Sequence, residues 1–442
     1  MLEQFGLVER GVAALALATL GMRQFVGGQG LTVGYALAVV LLPVWIGAVS
    51  RFRGARVLFW TFGLTVVAGV VVSRYSAMTH RVIQGNLITG VVLVAGTACG
   101  IGVILWARRI MPMKFVGICY GLGMVVGAEL FTPHGTANDW KFVWAVPFGV
   151  AVLSAVHKEG RRAIELATLL LLGIVSAGLD SRSYFATFLL AAVLLVWQVR
   201  PKSMSRQASW TWTAVLMASL ALGVYFLGST LLVNGYLGQV AQARSIQQID
   251  EAGSLILGGR PELAATTSLM KAYPWGFGVG VVPNPTEILV AKQGMAGINY
   301  DPNNGYVEQY MFGDRFELHS TFGDLWANYS VVGLGLVLVI LFMVVRSLAF
   351  VVANRKGSAV LLFLSCWTLW NLAFSPLYSA VPTLMITLGL GLLDKQASRP
   401  AMNGKPIIGK LGTELSTVKS KRSIMQPKAL AGTAKLSKRV PE

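Results

Sequence analysis

The feature that most constrains this chain is a series of apolar runs, each long enough to form a helix across a membrane. A helix needs about 20 mostly apolar residues to cross the hydrocarbon layer of a bilayer. Twelve such runs occur, centred near Leu17, Val40, Leu64, Val94, Gly121, Phe148, Leu170, Ala192, Ser219, Val339, Trp367 and Ile386. The sequence therefore predicts an all-α polytopic integral membrane protein with about 12 transmembrane helices.

Composition leads to the same class of protein. The 442 residues are 55% hydrophobic and only 13% charged, and the mean hydropathy is +0.63. A water-soluble domain of this size could not hide so much apolar surface. The N-terminal stretch MLEQFGLVERG has no small-residue cleavage site before the first apolar run, so we expect a retained first helix rather than a signal peptide.

Basic residues between the runs predict the orientation, because cytoplasmic loops are rich in Lys and Arg. The loops after spans two, four, six, eight and ten hold fifteen Lys and Arg residues, three in each loop. The intervening short loops hold five, which are Arg23, Arg74, Arg81, Lys141 and Arg182. Both termini are therefore predicted to be cytoplasmic, in a protein of the cell inner (cytoplasmic) membrane.

One connection is far longer than the others, and the same count of basic residues places it outside the membrane. A connection of this length is usually functional or disordered. It contains Trp275, several tyrosines and the apolar pattern LAATTSLMKAY, so short helices are expected in it. The predicted organisation is spans one to nine in residues 1–234, a large extracytoplasmic (periplasmic) loop with catalytic residues in 235–327, spans ten to twelve in 328–394, and a basic tail in 395–442.

The net charge of +18 raises the question of nucleic-acid binding. The segment from Asp394 to Glu442 holds 11 Lys and Arg against 3 acidic residues, and most other basic residues lie in loops between apolar runs. This distribution favours a disordered cytoplasmic tail that lies near anionic lipid headgroups. We therefore predict the lipid bilayer as a partner and no nucleic acid.

Two arginines on the predicted outer side could bind an anion. Arg182 directly precedes the eighth span, where an arginine needs water, a carboxylate or an anionic ligand. The simpler alternative is that it pairs with Asp180 or reaches the headgroups. Arg260 precedes Pro261 and Glu262, which favour the start of a helix, and free N–H groups at a helix start bind phosphate. The alternative is an ordinary surface arginine.

His319 lies in FELHSTFGDLWANYSVVGLGL, directly before the tenth span. A neutral imidazole can accept a proton from a hydroxyl group, although many histidines are only structural. No two histidines share metal-ligand spacing, and the large loop contains no DxD pair. The three cysteines, Cys99, Cys119 and Cys366, lie in apolar runs and are expected to be packing residues. No metal and no cofactor are predicted.

Three motifs on the predicted outer side together resemble those of the O-antigen ligase and polysaccharide polymerase superfamily of polytopic membrane glycosyltransferases. They are DSRSYFA, GGRPELAATTSLMKAYPWGFGVG and HSTFGDLWANYSVVGLGLVL, and the resemblance covers about residues 165–345. It implies that Arg182, Arg260 and His319 are catalytic. The two arginines would bind the diphosphate of the substrate, and the histidine would act as the base.

The resemblance implies a function in cell-surface polysaccharide assembly. The chain would carry out metal-independent, inverting glycosyl transfer from a polyprenyl-diphosphate-linked oligosaccharide or polysaccharide, such as an undecaprenyl diphosphate derivative. The acceptor would be a hydroxyl of a glycan, lipid or protein, so ligase and polymerase both stay open. Other polysaccharide-assembly proteins are expected partners. The alternatives are a multi-span secondary transporter and a non-catalytic membrane protein that binds lipid-linked glycans.

Overall fold

The computed structural model describes residues 2–132, 135, 138–158, 160–199, 210–236 and 238–395. Within these ranges the regular structure is helical, with isolated β-bridges and no strand. The α-helices are α1 (Leu2–Met22), α2 (Val33–Val40), α3 (Leu42–Val49), α4 (Ala55–Ser76), α5 (Gln84–Ile110), α6 (Met113–Phe131), α7 (Ala145–Val156), α8 (Arg162–Gly178), α9 (Arg182–Trp197), α10 (Trp210–Val233), α11 (Gln239–Ala252), α12 (Leu255–Gly259), α13 (Glu262–Ala272), α14 (Pro285–Ala296), α15 (Thr321–Ala353), α16 (Ala359–Phe374) and α17 (Leu377–Gly391). Two π-helices cover Trp140–Trp144 and Val307–Met311.

Five of these helices are long and apolar enough to cross a membrane, judged by length and composition. They are α4, α5, α6, α15 and the part of α10 from Thr211 to Val233. Large apolar side chains on the outside of α4 are exposed, with Trp60 at 74% and Val71 at 60%. Such a surface is stable only in an apolar solvent. The chain is thus a helical, membrane-embedded protein. Each of the twelve predicted span centres lies in a helix, and the count of twelve stays a prediction.

The second predicted span is two helices of eight residues, α2 and α3, which meet at Leu41. Pro43 lies in the first turn of α3, where its missing N–H group is tolerated and its fixed φ suits a helix start. Thr32 caps α2 because its hydroxyl accepts a hydrogen bond of 3.1 Å from the Tyr35 N–H group. The local sequence therefore favours a restart of the helix over one continuous span.

Helix α15 is also interrupted. Tyr329 has φ −131° and Ser330 has φ 64°, which is the left-handed region. The break separates a first segment, directly after His319, from a longer apolar segment that ends at Ala353. It falls two residues after the predicted boundary at residue 327. A short helical segment outside the main apolar helix is therefore available to orient His319.

Helices α1 and α6 pack closely because glycines face the partner backbone. A Cβ atom added at Gly123 would overlap the carbonyl oxygen of Ala18 in α1. Small residues of this kind let membrane helices approach each other, since van der Waals contact is a main source of their association. This pair of helices forms one wall of the cavity described below.

We expect Gly123→Leu to lower the stability of the folded protein by about 1–3 kcal/mol or more, because the larger side chain forces α1 and α6 apart. The control is Gly63→Leu, since an added Cβ at Gly63 has nothing within 4 Å. Thermal unfolding in detergent measures both. Equal midpoints for the two variants contradict the packing argument.

The segment between residues 235 and 327 contains α11 to α14 and an apolar cluster of its own. The buried residues of this cluster are Ala265, Leu269, Phe277, Val281, Ala291, Met295, Val307, Met311, Phe312, Phe316, Leu318, Trp326 and Ala327. The LAATTSLMKAY pattern lies largely in α13. The segment is therefore folded, and its position outside the membrane stays a prediction. Of the predicted disordered tail, all but Lys395 lies outside the described residues.

The PWGFGVG stretch connects this segment to α4 and α5. The N–H groups of Phe277 and Gly278 both donate to the carbonyl oxygen of Ala327, at 2.8 and 3.0 Å. Gly278 has φ 98°, and a Cβ atom there would overlap the backbone of Ser73 in α4. Only glycine combines this backbone conformation with so close an approach. These contacts fix the segment against the helices beside the start of α15.

Candidate functional site

A cavity of about 720 Å³ lies among the ends of α1, α6 and α16 and the starts of α7, α9, α15 and α17. This volume is within the roughly 300–1,000 Å³ of small-molecule sites. Arg260 and His319 both line it, so the fold brings two of the three predicted site residues together. Arg182 does not line it, although the next two residues, Ser183 and Tyr184, do.

The charged lining of this cavity is entirely basic. Arg23, Lys141 and Arg260 line it, and none of the described residues that line it is Asp or Glu. Burial lowers the pKa of Lys141, and the positive charges of Arg260 and Arg182 lower it further. Like charges held together repel, and a bound anion relieves that repulsion. The cavity is therefore electrostatically suited to an anionic ligand.

Arg260 is held by its neighbours rather than loose on the surface. It lies between α12 and α13, so a helix begins directly after it, as its sequence predicts. Its Nη1 atom is 3.2 Å from Oε1 of Glu262, whose side chain is buried. Burial and the nearby Glu262 carboxylate raise the pKa of Tyr306, which hydrogen-bonds to that carboxylate. The Arg260 side chain is still 30% exposed, toward the cavity that it lines.

His319 is positioned by the backbone before α15. Its φ of 52° is in the left-handed region, which is uncommon for a residue with a Cβ and is typical of functional sites. Its Nδ1 atom is 3.3 Å from the carbonyl oxygen of Glu317, and its ring centroid is 6.0 Å from that of Tyr306. Within the described part of the chain Nε2 has no hydrogen-bond partner. A proton on Nδ1 leaves Nε2 free to accept one.

Asp324, which sequence reasoning did not select, fixes the backbone next to His319. Its side chain is buried. Oδ1 accepts a hydrogen bond of 2.6 Å from the N–H group of Leu318, and Oδ2 accepts one of 2.7 Å from that of Leu377 at the start of α17. One carboxylate thus ties the backbone before His319 to the start of α17, where the next residue, Tyr378, lines the cavity. The sequence does contain a signal for a role of Asp324, because it is a lone carboxylate in the first turn of an apolar helix.

Arg182 makes other contacts. Its Nη1 atom donates to the hydroxyl oxygen of Ser245 at 3.0 Å, and its Nε atom is 3.8 Å from Oδ1 of Asp180. Arg244 lies 3.7 Å from the same Asp180 carboxylate. The alternative pairing with Asp180 is therefore present in the structure. The charge of Arg182 still acts on Lys141, so it contributes to the field around the cavity from just outside its lining.

Arg23 is a second residue that sequence reasoning did not select. It follows α1 with φ 52°, and its guanidinium carbon is 4.5 Å from the centre of the Tyr378 ring and 6.0 Å from that of Phe25. Its buried Nε atom has no hydrogen-bond partner among the described residues. Lys141 is the third such residue. Both lie in the short loops predicted to be outside, and neither belongs to a recognisable motif.

Comparison with models of known protein families, with curated proteins and with solved structures gives no match for this chain. Within the described residues, no three His, Cys, Asp or Glu side chains are grouped closely enough to hold a metal ion. The chemistry of the site is therefore argued from its own residues, which are three cations, one histidine and a surrounding apolar wall.

Proposed function

We propose that this chain is a metal-independent, inverting glycosyltransferase of the cytoplasmic membrane, with a polyprenyl-diphosphate-linked glycan as donor. The observation that carries the proposal is the single cavity that Arg260 and His319 share with Arg23 and Lys141. The cations can form charge-assisted hydrogen bonds with a diphosphate, and the histidine can accept the proton of an acceptor hydroxyl. Arg260 and His319 also lie in two of the motifs that resemble those of the O-antigen ligase and polysaccharide polymerase superfamily.

In the proposed reaction the acceptor hydroxyl oxygen forms a bond to the anomeric carbon of the donor. The bond between that carbon and the diphosphate oxygen breaks, and its electron pair leaves with the diphosphate. The Nε2 atom of His319 takes the hydroxyl proton. Arg260, Arg23 and Lys141 stabilise the negative charge that develops on the leaving diphosphate. Attack from the face opposite the leaving group inverts the anomeric configuration.

The apolar part of the cavity supports a lipid-linked donor. The apolar lining includes Met124, Val146, Trp367, Trp370 and Phe374 of α6, α7 and α16. A polyprenyl chain would lie against these side chains, and the glycan would extend from the open end. The proposal includes the twelve-span topology, cytoplasmic termini and an extracytoplasmic position for residues 235–327.

We expect Arg260→Ala to lower the rate of glycosyl transfer by about 10²-fold or more, because one group that stabilises the leaving diphosphate is lost. Vesicles that contain the purified protein and a native undecaprenyl-diphosphate-linked oligosaccharide donor, in the presence of EDTA, are the assay. Arg81→Ala is the matched control, since Arg81 is exposed and does not line the cavity.

Near-normal turnover by Arg260→Ala rules out the proposed role of this residue. Donor binding without any transfer by the wild-type protein favours a non-catalytic binding protein, and flux of an untransformed substrate favours a transporter. The size of the product separates the two acceptor classes. A ladder of repeat lengths indicates polymerisation, and transfer of intact polymer to a terminal acceptor indicates ligation.

A further inference from the structure

A second cavity, of about 450 Å³, opens beside the first. It lies among the starts of α5, α15 and α17 and the 315–317 stretch that leads to His319. Its size is again in the roughly 300–1,000 Å³ range of small-molecule sites. Its lining includes Glu317, two residues before the proposed base, and Asp324, five residues after it.

The two cavities share one wall. Phe25 and Tyr378 line both, with ring centroids 6.4 Å apart and ring planes at 14° to each other. The guanidinium of Arg23 stacks over Tyr378 on the side of the first cavity. Phe316 and Glu317 line the second cavity, whereas His319 lines the first. The proposed base therefore lies at the boundary between the two spaces.

The second cavity has a different chemistry from the first. Its charged lining residues are Arg315, Glu317 and Asp324. Arg315 lies 3.2 Å from Glu317, and the Asp324 carboxylate accepts hydrogen bonds from two backbone N–H groups. Amide and hydroxyl groups of Asn86, Thr89 and Asn328 complete the polar part. This lining is close to neutral, so it offers little to a diphosphate. The Thr89 hydroxyl, the Asn328 amide and one N–H of Asn86 donate to backbone carbonyls. The lining therefore offers chiefly side-chain oxygens as acceptors and the second N–H of Asn86 as a donor, and the hydroxyl groups of a neutral ligand can pair with both.

Aromatic rings complete the match to a sugar. Phe25, Phe316 and Tyr378 line the cavity beside the polar groups. A pyranose ring has apolar C–H faces, which pack on aromatic rings, and hydroxyl groups at its edge, which hydrogen-bond to amides and carboxylates. From this combination we infer that the second cavity binds a carbohydrate, the hydroxyl-bearing acceptor of the proposed transfer. The inference rests on the proposed function.

The position of the cavity favours the acceptor over the glycan of the donor. Inversion requires the attacking hydroxyl to approach from the side opposite the diphosphate. The cations that would hold the diphosphate lie in the first cavity, and the wall of Arg23, Phe25 and Tyr378 separates them from the second. A sugar in the second cavity thus lies on the side of this wall away from the leaving group, beside Glu317, two residues before His319 in the chain.

The test is binding of a phosphate-free oligosaccharide, released by mild acid from the surface polysaccharide of the cell that produces this chain. Saturation-transfer NMR on the wild-type protein in nanodiscs should detect it. Thr89→Trp fills the cavity from α5, and we expect it to weaken binding about tenfold or more through steric exclusion. Ala95→Trp is the matched control, because it adds the same side chain at an exposed position of the same helix.

One competitor identifies the cavity that holds the sugar. Undecaprenyl diphosphate, which carries no sugar and matches the basic first cavity, should leave oligosaccharide binding unchanged. Displacement by undecaprenyl diphosphate assigns the oligosaccharide to the first cavity and overturns the inference, as does wild-type binding that Thr89→Trp does not alter. If Thr89→Trp fails to fold, Asn86→Ala replaces it with the same expectations. The measurement needs no turnover, so it is independent of a failure of transfer in the vesicle assay.

Discussion

Replacing His319 with glutamine should lower the turnover number for glycosyl transfer by about 10²–10⁴-fold, the usual contribution of a general base. Glutamine keeps a polar side chain of similar reach but does not accept a proton from a hydroxyl group. The Michaelis constant for the donor should stay nearly unchanged, because the cations that bind the diphosphate are intact. Steady-state kinetics in donor-containing vesicles separate the two effects.

The chain offers a matched control in His80→Gln. His80 does not line either cavity, and its Nε2 atom lies 3.4 Å from Oε1 of Glu287 and 3.3 Å from Nδ2 of Asn284, which is a structural arrangement. We expect this variant to transfer glycan at close to the wild-type rate. Equal losses in the two variants indicate a general loss of folded protein, and a fully active His319→Gln removes the histidine from the mechanism.

The second large effect is expected for Asp324→Asn. The amide has one acceptor oxygen, so it can satisfy only one of the N–H groups of Leu318 and Leu377, and its NH₂ group then faces the other. Two buried donors without an acceptor cost about 2–5 kcal/mol of unfolding free energy. Thermal unfolding in detergent measures this loss.

Asp324→Asn should also slow catalysis at temperatures where the protein is still folded, because the backbone before His319 is released. The turnover number should fall while the Michaelis constant for the donor stays the same, which a purely structural role does not produce. Asp314→Asn is the control, since this residue is exposed. If the folded Asp324→Asn protein has a normal turnover number, the carboxylate contributes only to stability.

The sequence predicted the helical class of the protein well, and it predicted the local course of the helices less well. Apolar runs of sufficient length identify helices directly, so every predicted centre lies in one. Periodicity does not reveal where an apolar helix restarts. The junction at Leu41 and the break at Tyr329–Ser330 depend on local turn geometry and on contacts with distant helices. One such contact is the hydrogen bond from the Tyr329 hydroxyl to the Gly90 carbonyl oxygen.

The candidate site was predicted only where chemistry coincides with a local pattern. Arg260 stands at a helix start and His319 at the start of an apolar run, and both line the cavity. Arg23 directly follows α1, and Lys141 lies in the π-helix that comes after α6, so their presence in one cavity depends on the packing of α1 against α6. Asp324 has a role that no local pattern reveals, because its second partner, Leu377, is 53 residues away.

The all-basic lining of the first cavity has a consequence for the end of the catalytic cycle. In the proposed reaction the spent carrier lipid leaves with a terminal phosphate and so has one more negative charge than the donor. The fixed guanidinium and ammonium groups of Arg23, Lys141 and Arg260 attract it more strongly than they attract the donor. Under the proposed function, the spent carrier should therefore compete with the donor for the first cavity and inhibit transfer.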